Sequence, residues 1–380
     1  MSLILILAAG ALIAGVNGAN DVSKGIATLA GSGVTGYRRA ILWGTAWTAV
    51  GGIGASVFAG AMITTFGNGL LNPGEAPSMA AAASMILGAA AWVLIATRTG
   101  WPVSTTHAIV GALAGVGAVA YGAEGVRWSV LGSRIFLPLL LSPLVALGTT
   151  VLLVQAVRRF AGPAAATADC LCAEVEPCLA AVRGDSPAAQ SIAIVPGPGM
   201  VSLTLGDLQS CTSEHPAAVR LSVDHLHWLT SGATCFARGM NDAPKMAAMI
   251  LAVSALSTGA QLGRAPIFAV ITLGMVAGSI VAGLRVTRVL AERITEIDHR
   301  GGFLANLVTS VLVTAGAVGG LPMSTTHVAA GAIIGAGAGK GMGALNGKTI
   351  RDMLLAWIVT VPGAAALGLL AYLAFGVTIR

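Results

Sequence analysis

Gly18-Ala19-Asn20-Asp21-Val22-Ser23-Lys24 is a polar string set into an otherwise apolar run of the sequence. The pattern returns at Gly239 to Lys245, where the Asn, Asp and Lys recur after 221 positions. A second polar string, Trp101 to His107, returns after 220 positions as Leu321 to His327. Two motifs that occur in the same order in both halves of a chain indicate a duplicated unit.

The composition identifies the class of protein. Hydrophobic residues make up 56% of the chain and charged residues only 9%, and the mean hydropathy is +0.85. A water-soluble domain has roughly a quarter of charged residues, so the sequence predicts an integral membrane protein. The net charge of +6 does not require a nucleic-acid partner, because the basic residues cluster in short loops, where membrane topology explains them.

Apolar runs of about 20 residues, the length that crosses a bilayer, alternate with short polar connections. In the first half they cover residues 2–33 (interrupted at 17–25), 40–63, 78–97, 105–121 and 130–157. In the second half they cover residues 221–256 (interrupted at 239–245), 265–284, 303–318, 325–339 and 352–375. The sequence therefore predicts an all-α polytopic membrane protein with about 10–12 membrane segments, some of them broken or hairpin helices.

Three regions follow from these runs. Residues 1–157 form the first transmembrane repeat, residues 158–220 an extramembrane insert, and residues 221–380 the second repeat. The insert lacks a run of spanning length and is expected to be loosely ordered. Its cysteines could bind a metal, although their spacing does not match the common zinc patterns; they are Cys170, Cys172, Cys178 and Cys211. Disulfides are not expected there if the insert lies in a reducing cytosol.

The charges of equivalent loops predict that the second repeat is inverted. The connection 64–77 carries one acid, Glu75, and no basic residue, whereas its counterpart 285–302 carries four arginines. Opposite charge character at equivalent positions is what inversion requires under the positive-inside rule. Five crossings per half from an outside N-terminus place the insert in the cytoplasm, and we expect a multi-pass protein of the cell inner membrane.

The Asn-Asp strings are candidate sites because ionisable groups within a membrane are costly and are usually functional and paired. Asp21 and Lys24 are three residues apart, as are Asp242 and Lys245, so each pair shares a helix face. The structural alternative is an ion pair that only holds a broken helix together. The duplication favours two half-sites, which face each other near the midplane of the membrane.

The second motif is rich in hydroxyl groups. A helix-breaking Pro precedes it and an apolar Gly/Ala-rich run follows, so the hydroxyls lie at the N-terminus of a half-helix. Free backbone N–H groups and the helix dipole favour an anion there, whereas the structural alternative is simple N-capping. The candidate hydroxyls are Ser104, Thr105, Thr106, Ser324, Thr325 and Thr326. His107 and His327 are either hydrogen-bonding residues of the helix start or proton carriers.

Two classes of function fit these motifs. One is a secondary transporter for a small tetrahedral oxyanion. The other is a membrane-embedded hydrolase that uses Ser104 or Ser324 with a neighbouring histidine. An enzyme needs one nucleophile, whereas alternating access needs two matched half-sites, and the duplication supplies the latter. The sequence does not distinguish a channel from a carrier.

At these motifs the chain resembles the inorganic phosphate transporter (PiT) family. The resemblance covers both hydrophobic halves and leaves out the insert. It implies a cation-coupled phosphate symporter without a cofactor, with the substrate held between the repeats. By this resemblance Asn20, Asp21, Asn241 and Asp242 serve the phosphate and ion sites, with Na⁺ near them, and the six hydroxyls line the phosphate pocket. Some members carry sulfate, which makes sulfate the alternative substrate.

One departure from the family pattern concerns the coupling ion. The family motif continues Asn-Asp-Val-Ala-Asn-Ala, whereas here Lys24 and Lys245 replace the second Asn. An ammonium at a position that otherwise helps hold sodium argues against Na⁺ coupling and makes H⁺ the natural candidate. The expected partners are phosphate or sulfate, H⁺ or Na⁺, the lipid bilayer and a second copy in a homodimer.

Overall fold

The computed structural model describes residues 3–58, 60–67, 70–72, 78–160, 169–176, 179–183, 192–196, 200–206, 219–254 and 263–378. They belong to two compact units. The first consists of Met1–Val154 together with His227–Arg380, and the second of Gln155–Leu226.

The first unit is helical. Its first half contains α1 (Leu3–Asp21), α2 (Ser23–Gly31), α3 (Tyr37–Phe58), α4 (Gly60–Gly67), α5 (Met79–Thr99), α6 (Thr105–Tyr121) and α7 (Trp128–Val130), which continues through a π-helical segment (Leu131–Phe136) into α8 (Leu137–Phe160). Its second half contains α9 (Val223–Ser254), α10 (Arg264–Ala282), α11 (Leu284–Glu292), α12 (His299–Val318), α13 (Thr325–Ala338) and α14 (Gly347–Thr378). These helices follow the predicted apolar runs. The apolar pattern did not predict α11, which lies in the charged connection.

Six helical stretches of the described chain are long and apolar enough to cross a membrane. They are Tyr37–Phe58, Met79–Thr99, Trp128–Phe160, Arg264–Ala282, His299–Val318 and Gly347–Phe375. The prediction of an all-α polytopic membrane protein is confirmed, and the predicted total of segments stays a prediction.

The two Asn-Asp helices differ in continuity. In the first half, only Val22 separates α1 from α2. There, Ser23 Oγ and Lys24 Nζ donate to the backbone oxygen of Asn20 at 2.7 and 2.6 Å. These side chains thus satisfy a backbone carbonyl at the end of α1. In the second half, α9 continues through residues 239–245, so the predicted interruption is wrong. Pro244 removes one N–H group, but its fixed φ is that of a helix.

Each Asn-Asp helix lies in backbone contact with a helix of the other half. A Cβ atom on Gly18 would lie 2.0 Å from the backbone oxygen of Met275 in α10. A Cβ atom on Gly239 would lie 2.5 Å from the backbone oxygen of Thr48 in α3. Small residues allow helices within a membrane to approach this closely. These crossings bring the two polar motifs to the centre of the first unit.

The second unit contains strands, which the sequence analysis did not predict. Strand β1 (Cys170–Glu176) pairs antiparallel with β4 (Met200–Gly206) and β5 (Val219–Ser222). Strand β2 (Leu179–Arg183) pairs antiparallel with β3 (Ile192–Pro196). Within its described residues, this unit thus consists of these strands and of the ends of α8 and α9, whereas the sequence led us to expect loose order.

The cysteines of this unit do not form a metal centre within the described residues. Cys170 and Cys172 are both buried on β1, and Cys178 and Cys211 lie outside the described residues. Cys172 is disulfide-bonded, contrary to the expectation that disulfides are absent. In the part of the chain that the structure describes, no group of three or more His, Cys, Asp or Glu residues could hold a metal ion.

Candidate functional site

The two hydroxyl motifs start helices α6 and α13 in the same way. Ser104 Oγ accepts a hydrogen bond from His107 N at 3.2 Å, and Ser324 Oγ accepts one from His327 N at the same distance. Both serines have extended backbone and are N-caps. Both motifs therefore begin a buried half-helix, and the two serine oxygens already serve as capping acceptors.

In the first Asn-Asp motif, the ammonium of Lys24 is enclosed by oxygens. Its Nζ donates to Asn20 O at 2.6 Å, Asn20 Oδ1 at 2.7 Å and Asp21 Oδ1 at 2.8 Å. An ammonium has three N–H donors, and all three are used. Lys24 is 0% exposed and Asp21 is 2% exposed. Lys24 thus holds a fixed positive charge among a backbone carbonyl, an amide oxygen and a carboxylate.

The second motif has the same ion pair but a partner in the other half. Lys245 Nζ donates to Thr106 Oγ1 at 2.8 Å, Met323 O at 3.0 Å and Asp242 Oδ1 at 3.3 Å. Asn241 Nδ2 donates to Asp242 Oδ1 at 2.8 Å and Met323 O at 2.9 Å. The second Asn-Asp motif is therefore tied both to its own hydroxyl motif and to that of the first half.

The threonines have three different environments. Thr105 Oγ1 donates to Asp21 Oδ2 at 3.2 Å, whereas Thr106 accepts from Lys245. Thr326 Oγ1 donates to the backbone oxygen of Val103 at 2.7 Å. Thr325 is 3% exposed. The structure thus brings Thr105 and Thr106 to the charged groups, and it uses Thr326 to join the two half-helices.

Two residues that the sequence analysis missed connect the motifs, Asn17 and Arg238. Asn17 Nδ2 lies 2.9 Å from Asp21 Oδ2 and 3.3 Å from Asp242 Oδ2, so its amide joins both carboxylates. Arg238 Nη2 donates to Asn17 Oδ1 at 3.3 Å, and Nη1 donates to Thr48 Oγ1 at 3.2 Å. Both residues stand three positions before the Asn of their motif, but they differ in type, so a comparison of identical residues between the repeats does not show them.

The buried cluster carries an excess of positive charge. It holds the carboxylates of Asp21 and Asp242 with the cations Lys24, Lys245 and Arg238, and each residue is at most 4% exposed. In their ordinary ionisation states these groups leave one positive charge uncompensated. The Nε atom of Arg238 is buried and makes no hydrogen bond, and it lies 3.9 Å from Asp242 Oδ2. A buried cluster with a spare cation and a spare donor is suited to an anion.

The two histidines, in the first turns of α6 and α13, lie against each other. The rings of His107 and His327 lie 4.5 Å apart, and the ring of His327 lies 3.9 Å from that of Trp357. His107 Nδ1 and His327 Nε2 make no hydrogen bond within the described structure. The sequence alternatives, a helix-start residue or a proton carrier, both remain compatible with this position.

Comparisons with known proteins find similar chains over nearly the whole length of this one. A protein of Pyrococcus abyssi, provisionally named a phosphate permease, is 29% identical over 97% of each chain. Inorganic phosphate transporter 2-1 of the Arabidopsis thaliana chloroplast is 29% identical over 93% of this chain and 68% of its own. A solved structure of a protein described as the sodium-dependent phosphate transporter superposes with a TM-score of 0.75 at 22% identity, over 99% of both chains. That likeness shows that the fold is shared.

The family itself is set by the sequence. Residues 17–368 match the profile described as the phosphate transporter family, which spans both halves and all four motifs. The interpretation as an intramembrane hydrolase is set aside, because the members of this family are transporters and permeases. The chain belongs to the phosphate transporter family and is a multi-pass membrane transporter, not an enzyme.

Proposed function

We propose that this chain is a secondary active transporter of the cell inner membrane that imports inorganic phosphate. The substrate binds at the polar cluster between the two halves, near the midplane. The observation that carries this proposal is the uncompensated positive charge of the cluster, together with the free Nε donor of the fully buried Arg238. Three cations here share two carboxylates, and Asp242 lies near both Arg238 and Lys245. An oxyanion would supply the counter-charge that the cluster as a whole lacks.

The residues around Arg238 could bind a tetrahedral oxyanion. A guanidinium binds two oxygens of one phosphate with its planar fork. Here Asn17 links it to the first hydroxyl motif, because Asn17 accepts from Arg238 and donates to Thr105 Oγ1 at 3.1 Å. The starts of α6 and α13 add the positive ends of two helix dipoles. In this structure the polar side chains of the cluster are hydrogen-bonded to one another. A bound anion would therefore replace some of these contacts, such as the hydrogen bond between Arg238 and Asn17.

Alternating access would use the duplication. The two halves supply matched motifs, and Asp21 and Asp242 both contact the amide of Asn17. In inverted-repeat transporters, one repeat rocks against the other around a site at their interface. We propose the same for residues 1–157 and 221–380, with the insert 158–220 in the cytoplasm.

We further propose that uptake is coupled to protons. The three oxygens around Lys24 Nζ, at 2.6 to 2.8 Å, are the ligands that a hard cation such as Na⁺ would need in this motif. A tethered ammonium already occupies them. It neutralises the anion, but it cannot dissociate on the far side of the membrane and so cannot drive uptake. The rival is Na⁺ bound elsewhere, which is suggested by the name of the similar sodium-dependent phosphate transporter.

Uptake into proteoliposomes tests the proposal. Labelled phosphate and labelled sulfate are offered in parallel under an imposed pH gradient or an imposed Na⁺ gradient. We expect accumulation of phosphate, driven by the pH gradient, with sulfate as a weak competitor. Preferred accumulation of sulfate would identify sulfate as the substrate instead of phosphate. If neither anion is taken up, the proposed function is refuted.

A further inference from the structure

A cavity of about 760 Å³ lies beside the first Asn-Asp motif, between α1, α5 and α11. Four arginines line it, and no acidic side chain of the described residues does so. They are Arg98, Arg285, Arg288 and Arg293. Four like charges around one cavity repel each other, and we expect them to attract an anion into it.

The cavity reaches the central cluster through Thr97. This threonine lines the cavity, and its Oγ1 accepts a hydrogen bond from Asn20 Nδ2 at 3.1 Å. The other amide atom, Asn20 Oδ1, accepts from Lys24 Nζ at 2.7 Å. Val16 and Ala19 of α1 complete the inner wall. An anion in the cavity is therefore separated from the fixed charge of Lys24 by two side chains.

A second cavity, of about 540 Å³, occupies the position that the repeat relates to the first, and residues of both halves line it. It is lined by Gly319 and Gly320, which stand 220 positions after Thr99 and Gly100 of the first cavity. It is also lined by Thr65, which stands 220 positions before Arg285. Two cavities at equivalent positions are what a duplicated transporter needs for two access routes. The second cavity has only two arginines, Arg127 and Arg134.

We propose that the four-arginine cavity is an anion-collecting site at the cytoplasmic mouth of the transporter. During import it binds free phosphate-class oxyanions after they leave the central cluster, and in the reverse direction it binds them before they enter. This inference rests on the proposed function and adds a second binding site to it. Guanidinium groups bind phosphate oxygens bidentately. A cleft lined by one sign of charge raises the local concentration of the opposite ion about tenfold or more.

The surroundings of the arginines indicate which of them to change. Arg285 donates to the backbone oxygen of Arg98 and so helps fix the wall. Arg288 lies 5.7 Å from the ring centre of Tyr37, and the hydroxyl of Tyr37 donates to Glu292. Arg288 and Arg293 are therefore the better positions to substitute, because changing them leaves the hydrogen bond from Arg285 to the backbone of Arg98 in place.

The test measures phosphate transport from each side of the membrane separately. Inside-out vesicles present the cytoplasmic mouth to the medium, and right-side-out vesicles present the other mouth. In the double variant R288Q/R293Q, we expect KM for cytoplasmic phosphate to rise roughly tenfold. KM from the other side and the maximal rate should change little. The dependence of the cytoplasmic KM on ionic strength should also flatten, because screening acts on the removed charges.

Two comparisons make this test specific. Arg351→Gln removes an arginine whose side chain is 68% exposed and bonded to Asp352, and it should leave both KM values unchanged. Transport from the unaffected side shows that the double variant is folded. Reconstitution into pure phosphatidylcholine, or with added phosphatidylglycerol, separates free phosphate from lipid headgroups as the occupant.

The outcomes are distinct. A one-sided rise in KM that persists in phosphatidylcholine supports the proposal. An unchanged KM, an equal rise from both sides, or a rise that requires anionic lipid would overturn it. A wild-type protein that carries neither phosphate nor sulfate would instead refute the proposed function.

Discussion

The Nη2 atom of Arg238 lies 3.3 Å from the Oδ1 atom of Asn17, and the two residues stand 221 positions apart at the same place in the duplicated motif. Residues at equivalent positions of two repeats can touch only near the axis that relates the repeats. The rings of His107 and His327, 4.5 Å apart, are a second such pair. The centre of the cluster is thus where the halves meet, and there the duplication is asymmetric, with an amide in one half and a cation in the other.

The first prediction concerns this asymmetry. Arg238→Gln removes the spare positive charge and leaves two carboxylates against two ammonium groups. We expect phosphate uptake to fall at least about tenfold, since a hydrogen bond to a charged group contributes about 1.5–3 kcal/mol. Arg238→Lys keeps the charge without the planar fork and should retain part of the uptake. Phosphate-dependent thermal stabilisation of the purified protein should follow the same order, and wild-type affinity in Arg238→Gln would contradict the assignment.

The second prediction separates binding from coupling at the two carboxylates. Asp21→Asn and Asp242→Asn each raise the excess positive charge by one, so phosphate should still bind. Each change removes one carboxylate from its ion pair with lysine, at 2.8 Å for Asp21 and 3.3 Å for Asp242. We expect the accumulation of phosphate against a gradient to be abolished in both variants, as measured by uptake into proteoliposomes.

The matched control for the carboxylates is Asp352→Asn, because Asp352 is an exposed acid paired with Arg351. It makes the same chemical change away from the cluster and should accumulate phosphate normally. Near-normal accumulation in Asp21→Asn or Asp242→Asn would remove that carboxylate from the mechanism.

The third prediction concerns recognition by hydroxyl groups. Thr105→Val and Thr325→Val keep the shape of the side chain and remove a donor at equivalent positions. Each should weaken the apparent affinity for phosphate about tenfold or more, the effect of a lost hydrogen bond to a charged group. In Thr150→Val, the lost bond is to the backbone oxygen of Ala146 within α8, so affinity should be unchanged. If both test variants bind phosphate as wild type does, the hydroxyl motifs are only helix starts.

Much of the fold could be predicted from the sequence because its signals are local. Hydropathy identifies helices such as α6, whose bounds match the predicted run 105–121. The proline and serine before it fix where it starts. The amphipathic α11 was missed because its arginines interrupt the apolar pattern, and its burial depends on packing against α2.

The candidate cluster could be predicted in part. The Asn-Asp and hydroxyl motifs are visible as repeats, and the structure brings them together. The partner of each side chain could not be predicted, because the contact of Lys245 with Thr106 in the other half depends on how the helices cross. Arg238 was not predicted as a site residue for a different reason. Its equivalent, Asn17, is a different residue type, and a search for identical repeats excludes it.

The last prediction concerns Lys24 and Lys245. Both ammonium groups are buried, and each donates to three oxygens that include the carboxylate of its own motif. If they replace coupling cations, wild-type uptake should be the same in choline buffer and in sodium buffer. It should rise as the external pH falls and collapse with a protonophore, because the only ion left to drive it is the proton.

Removing the ammonium groups should reverse this dependence. Lys24→Asn leaves the oxygens of Asn20 and Asp21 without their cation, and the double variant K24N/K245N does the same in both halves. Na⁺ from the buffer can then bind these oxygens. We therefore expect the double variant to be inactive in choline buffer and to regain phosphate uptake as Na⁺ is added. Lys348→Asn, at an exposed lysine, should behave as wild type. Wild-type uptake that needs Na⁺ and ignores the protonophore would refute the replacement of sodium by lysine. It would leave the phosphate transporter itself intact, because that conclusion rests on the family match and the duplicated motifs and not on these two side chains.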